Sequence, residues 1–96
     1  MTDVVLATGH AHVTAYHRTF DELVIRLQLW DESIREITAR GVTEMHDTGT
    51  WESDALVRHP ALDGHERAGY AIVDTGGAPT LTFAASDLDL GEAVRS

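Results

Sequence analysis

Hydrophobic and polar positions alternate along most of this chain, and the alternation has the period of a strand. From His10 to Phe20, Ala11, Val13 and Ala15 fall on one side and His10, His12, Thr14 and Tyr16 on the other. Such a period of two marks a half-buried strand. The residues before it, 1–8, read as a flexible lead-in or a short edge strand. Trp51 to Arg58 reads as a strand, His59 to Ala68 as a loop marked by Pro60 and Asp63-Gly64, and Gly69 to Asp74 as a strand. Thr75-Gly76-Gly77 is a hairpin turn leading into the alternating Thr80-Leu81-Thr82-Phe83. The last residues alternate weakly through Leu88 and Leu90, and 91–96 read as a flexible polar end.

Residues 20–40 support two readings. As a helix, Phe20, Leu23, Val24, Leu27, Trp30, Ile34 and Ile37 share one face, with Thr19 and Glu22 as a capping box and Gly41 just past the end. As strands, Ile25, Leu27 and Leu29 alternate with Arg26 and Gln28, Asp31-Glu32-Ser33 turns, and Ile34 to Val42 returns. The strand reading accounts for Ile25 and Leu29, which the helix leaves outside its apolar face. It also suits the β-branched residues Ile34, Ile37, Thr38, Val42 and Thr43. The expected fold is therefore all-β, a small antiparallel sandwich or open barrel of about six strands. The alternative is an α+β fold with one helix at 20–40 packed on an antiparallel sheet.

Composition sets bounds on this picture. The chain has 96 residues and 43% hydrophobic positions, enough for a single small domain, residues 1–96, with one modest core. Sixteen acids against seven arginines, with no lysine, give a formal charge of −9. That charge repels nucleic acid and anionic membranes and favours a basic protein partner or a divalent cation. Cysteine is absent, which excludes disulfides, thiol catalysis and thiolate metal sites. The opening Met1-Thr2-Asp3-Val4-Val5-Leu6-Ala7 has no basic segment ahead of a long apolar run, so a cytoplasmic location is expected.

The chain carries six histidines, and His10, His12 and His17 lie within eight residues. On a regular strand His10 and His12 would share a face about 6.6–6.8 Å apart along the backbone and could converge on one divalent metal such as zinc. His17 has the opposite parity. The missing ligands would come from His46, His59 or His65, with Glu44 or Asp47 as a base. A solvated polar face, with no cofactor, is the simpler expectation. Protonation of all six histidines would change the charge from −9 to −3, so a pH-responsive assembly is a further expectation.

The remaining motifs say less. His10-Ala11-His12 invites comparison with the cupin metal strand, but the next glutamate, Glu22, lies too far along for that pattern. Ile72-Val73-Asp74-Thr75-Gly76-Gly77 is similar to the active-site turn of aspartic proteases. Only 20 residues follow Gly76, however, and Asp47-Thr48-Gly49 follows polar Met45-His46, so both triplets read as turns. The loop 58–67 gathers Arg58 and Arg67 with two histidines and is a candidate for contacting a ligand or partner. Trp30 and Trp51 are expected in the core, with Trp51, beside a turn, the better interface candidate. Taken together, these features point to a non-catalytic binding module that recognises a protein partner and forms a homodimer. A metal-binding protein or small metal-dependent enzyme built on His10 and His12 is the alternative.

Overall fold

The computed structural model describes residues 4–48 and 52–94. Its eight strands are β1 (Val4–Arg18), β2 (Glu22–Gln28), β3 (Ile34–Arg40), β4 (Thr43–Asp47), β5 (Glu52–Arg58), β6 (Ala68–Val73), β7 (Pro79–Ala85) and β8 (Asp87–Asp89). They form one antiparallel sheet in the order β4-β7-β6-β5-β1-β2-β3-β8. The all-β expectation holds, and the helix at 20–40 is replaced by β2 and β3.

Burial along β2 explains why the strand wins there. Leu23, Ile25 and Leu27 have no solvent exposure, and they alternate with half-buried or exposed Glu22, Val24, Arg26 and Gln28. A helix would have left Ile25 in water, where a fully buried isoleucine instead contributes about 1.5–3 kcal/mol. Thr19 and Glu22 do not cap a helix. They close a turn in which the Thr19 amide and hydroxyl both donate to the Glu22 carbonyl, at 2.9 and 3.3 Å.

The expected count of six becomes eight because two short strands carry weak patterns. Gly41, at φ +67°, ends β3 and turns the chain into the five-residue β4. The three-residue β8 pairs Asp87–Asp89 with Thr38–Arg40. The segment beyond β8 is also tied to β3. Arg35 donates to the carbonyls of Leu90 and Gly91, and Val94 bridges Ile34.

β1 is not an edge. Its first half pairs with β5 and its second half with β2, so the sheet folds over along this one long strand. The fold brings β2 and β3 (Leu23, Ile25, Leu27, Ile37, Ala39) onto β5, β6 and β7 (Leu56, Ile72, Leu81, Phe83, Ala85) in one core, with Val13 of β1 among them. The sheet does not close into a barrel, because β4 and β8 remain its two ends. On the β4 side, Tyr16 of β1 donates to Asp47 at 2.7 Å, and the Val42 amide donates to the Asp21 carbonyl.

β1 has three register irregularities, one between Val4 and Leu6 near its start and two bulges further along, where the strand passes from β5 to β2. Between Ala7 and Ala11 the partner residues advance only from Ala55 to Ser53, so β1 carries two extra residues. They lie at Gly9 (φ +52°) and His10 (φ +49°). Positive φ costs glycine little, and histidine is among the residues that tolerate it better than most. The second bulge, between Val13 and Ala15, exchanges the faces. Ala15, expected beside Ala11 and Val13 on the apolar side, is exposed, and Tyr16 takes the partly buried position. A bulge shifts parity in this way, and no period-two reading anticipates it.

Candidate functional site

The loop 58–67, with Arg58 and Arg67, is one of the candidates for contacting a ligand or partner. In the fold it is bound internally. Arg58, at the end of β5, sends Nη2 to both oxygens of Asp63, at 2.9 and 3.0 Å, and lies 5.7 Å over the Tyr70 ring. Asp63 also accepts the Gly69 amide at 2.7 Å. That backbone hydrogen bond, helped by Arg58, holds the Asp63 carboxyl below the ordinary carboxylate range. Pro60–Leu62 forms a 3-10 turn inside the loop, and the His59 carbonyl packs so close to Gly69 that no side chain fits there. Arg67 donates through Nε to the Gly41 carbonyl at 2.8 Å.

Arg67 belongs to a larger pattern at the β3–β4 turn. Three successive carbonyls there are each met by a donor from a different element. Ser86 donates to Arg40, Arg67 to Gly41, and Arg18 Nη2 to Val42, the last at 2.9 Å. Arg18 also donates through Nη1 to the carbonyls of Thr19 and Phe20, at 2.6 and 3.2 Å. The β1–β2 turn is thereby fixed at both ends, yet it presents Phe20 with 98% of its surface in water.

Trp30 also departs from expectation. It sits in the β2–β3 turn and is 78% exposed rather than in the core. That turn is set by Asp31, which accepts the Ser33 amide and hydroxyl. Trp51 lies outside the described residues. The second Asp-Thr-Gly triplet is a turn, as read. Asp74 accepts the amides of Gly76 and Ala78, and Gly77 adopts φ +84°. Asp47 accepts from Tyr16, so the two aspartates serve separate purposes.

His10 and His12 do come together, by a different route from the one expected. Both line an open cleft of about 240 Å³, with Ala11, with Glu52, Ser53 and Asp54 of β5, and with Thr75 of the β6–β7 turn. The bulge at Gly9–His10 shapes its β1 wall. Beneath it the Thr8 and Ser53 hydroxyls are buried and bonded to each other at 2.9 Å, and Thr8 also meets the Ser53 carbonyl. Glu52 and Asp54 are two apart on one strand, so both carboxylates face the cleft. None of the ionisable side chains His10, His12, Glu52 and Asp54 has a hydrogen-bond or ion-pair partner among the described residues.

The other histidines lie elsewhere. His17 lines a separate groove with Ala15, Tyr16, Val24, Arg26 and Glu36. His46 is on β4 opposite Thr82, His59 precedes the 3-10 turn, and His65 is exposed in the tight turn between Gly64 and Arg67. Among the described residues no three histidine, aspartate or glutamate side chains are grouped to hold a metal ion. Glu44 is exposed at φ +56°, in the bulge of β4. The involvement of Glu52 and Asp54 went unread in the sequence. The available signal was their spacing of two on a strand, opposite the histidine pair.

No family model, curated protein or solved structure matches this chain. Among the described residues no helix is long and apolar enough to cross a membrane.

Proposed function

We propose that this chain is a small, acidic, cytoplasmic interaction module that recognises a basic protein partner and carries out no catalysis of its own. The observation that supports this most is Phe20. Single exposed hydrophobic residues are ordinary on a surface. Phe20 differs in being held on a turn fixed by Arg18 at three carbonyls and by Thr19 at Glu22. A turn whose backbone is already fixed loses less entropy when a partner buries the side chain it carries. Aromatic anchors of this kind dominate many interfaces. The net charge of −9 favours encounter with a basic surface.

Self-association is part of the same reading. Of the two sheet edges, β8 is only three residues long and reads Asp-Leu-Asp, so a second copy would pair along β4. A strictly monomeric mass by light scattering at high micromolar concentration would remove this part.

The partner contact is tested with a photo-reactive amino acid placed at position 20 and, separately, at position 30. The protein cross-linked from position 20 is identified, purified and titrated. Phe20→Ala is expected to weaken its binding by about thirtyfold, the scale of a 2 kcal/mol anchor, with the fold unchanged. Wild-type affinity in Phe20→Ala rejects the tip as the contact.

A further inference from the structure

The cleft between β1 and β5 is a different kind of surface from the Phe20 tip, and its chemistry is narrower. We propose that it receives the guanidinium group of an arginine side chain on the partner. This rests on the reading of the chain as a module for a basic protein and adds the group that it would recognise.

Three observations converge on that ligand. The cleft, at about 240 Å³, is on the scale of one long side chain and is open to solvent on one side, as a docking residue requires. Glu52 and Asp54 stand two residues apart on β5, about 6.6–6.8 Å along the strand. Carboxylates so placed can take the donors of a planar guanidinium from two sides, which a compact ammonium would not match as well. The adjacent strand supplies the His10 and His12 rings, with His12 paired directly to Glu52, and an imidazole beside the carboxylates offers a flat surface of the type on which guanidinium stacks.

Asp63, Asp31, Asp74, Asp87 and Asp89 each accept hydrogen bonds from within the chain. Glu52 and Asp54 have no such partner among the described residues, although they lie on an interior strand of the sheet. Asp21, Glu32, Glu36, Glu44, Glu66 and Glu92 also take no internal hydrogen bond or ion pair among the described residues, and what sets Glu52 and Asp54 apart is that both line one cleft. The Thr8–Ser53 pair below has its hydrogen bonds satisfied, so the floor neither competes for a ligand nor adds charge. The cleft is thus a fixed frame with two unspent carboxylates.

The test uses the intact chain and a free probe, so it does not depend on finding the partner. N-acetyl-arginine amide is titrated into uniformly 15N-labelled protein, with N-acetyl-citrulline amide as the neutral analogue of the same shape. The expected result is millimolar binding of the arginine probe, with amide shifts concentrated at residues 10–12, 52–54 and 75, and little response to citrulline. Glu52→Gln with Asp54→Asn is expected to lower affinity about tenfold, the scale of two partly exposed charge pairs. The spectrum of that variant reports its fold directly. Equal responses to arginine and citrulline, shifts centred elsewhere, or unchanged affinity in the double variant would overturn the proposal. So would zinc at micromolar concentration shifting these amides while arginine does not, which would assign the cleft to a metal. Failure here leaves the Phe20 contact standing, and loss of the Phe20 contact leaves this result standing.

Discussion

The loop at 58–69 and the cleft at 10–12 and 52–54 both gather charged residues and histidines, yet the fold treats them in opposite ways. In the loop, Arg58 is committed to Asp63 and Tyr70, Arg67 to Gly41, and Asp63 to Gly69 as well. In the cleft, two carboxylates and two imidazoles stand around a cavity without partners among the described residues. The comparison teaches that charge density along a sequence does not say which charged groups keep free of internal partners. The useful quantity is the polar capacity left over after turns, carbonyls and ion pairs have taken their share. An arginine in a loop is the residue best able to satisfy backbone carbonyls, so it is often the first to be used internally.

The largest expected effect breaks the loop side at its root. Phe83 is fully buried and stacks on Tyr70 with ring centroids 5.6 Å apart, and Tyr70 in turn carries the Arg58 guanidinium. Phe83→Ala is expected to cost about 3–5 kcal/mol, from lost burial and the cavity left behind. In a domain of this size that is a large part of the total stability. Urea denaturation followed by far-ultraviolet circular dichroism measures it. Glu52→Gln with Asp54→Asn, by contrast, should fall within about 0.5 kcal/mol of wild type, as surface changes without a structural role do. A comparable loss from both variants would erase the distinction between the two regions.

A smaller effect sharpens the comparison through pH. The Asp63 carboxyl is depressed by the Gly69 amide and by Arg58. A depressed acid binds its proton more weakly in the folded chain than in the unfolded one, whose ordinary value is about 3.9. Its contribution is therefore present above that value and is lost as pH falls through the lower folded value. Wild type should melt above Asp63→Asn at neutral pH, and the gap should close as pH falls below about 4. A gap independent of pH would show that Asp63 acts by shape and not by charge. No gap at all would mean that Arg58 and Gly69 hold the loop without it.

How much of this was legible follows the same division. The Asp74–Gly77 turn and the β6–β7 hairpin were readable because their signals are local, an aspartate two residues before a glycine and a glycine at positive φ, whereas the period of two in β2 stood against an equally regular helical pattern. The bulges of β1 were not readable. Whether His10 adopts φ +49° depends on β5 lying alongside, and β5 begins some forty residues later. The same long-range pairing places Glu52 and Asp54 beside His10 and His12. Trp30 misled because its size suggests burial, while Asp31 and Ser33 fix a turn that turns it out to solvent. The internal acceptors of Arg58 and Arg67, Asp63 apart, are backbone carbonyls and a ring face, which a sequence does not display as partners.

The smallest expected effect concerns the strand that connects the two regions. Tyr16 lies just past the second bulge of β1 and donates to Asp47 of β4 across the open side of the sheet. That hydrogen bond, and the negative charge of Asp47 beside it, raise the Tyr16 hydroxyl above its ordinary value of 10.0. A group whose folded value is raised contributes fully below the unfolded value and loses its contribution as pH rises through the folded one. Wild type should therefore lose more stability than Tyr16→Phe between about pH 9 and 11, because the unfolded tyrosine ionises first. At neutral pH Tyr16→Phe should be only slightly less stable, since a single part-buried hydrogen bond contributes only modestly net. The cleft amides should keep their neutral-pH positions in this variant, because β1 is held by β5 at Ala11 and His12 and by β2 from His12 onward. Movement of those amides would mean that the Tyr16–Asp47 contact helps shape the cleft, and that the sheet's open side and the proposed guanidinium site belong to one unit.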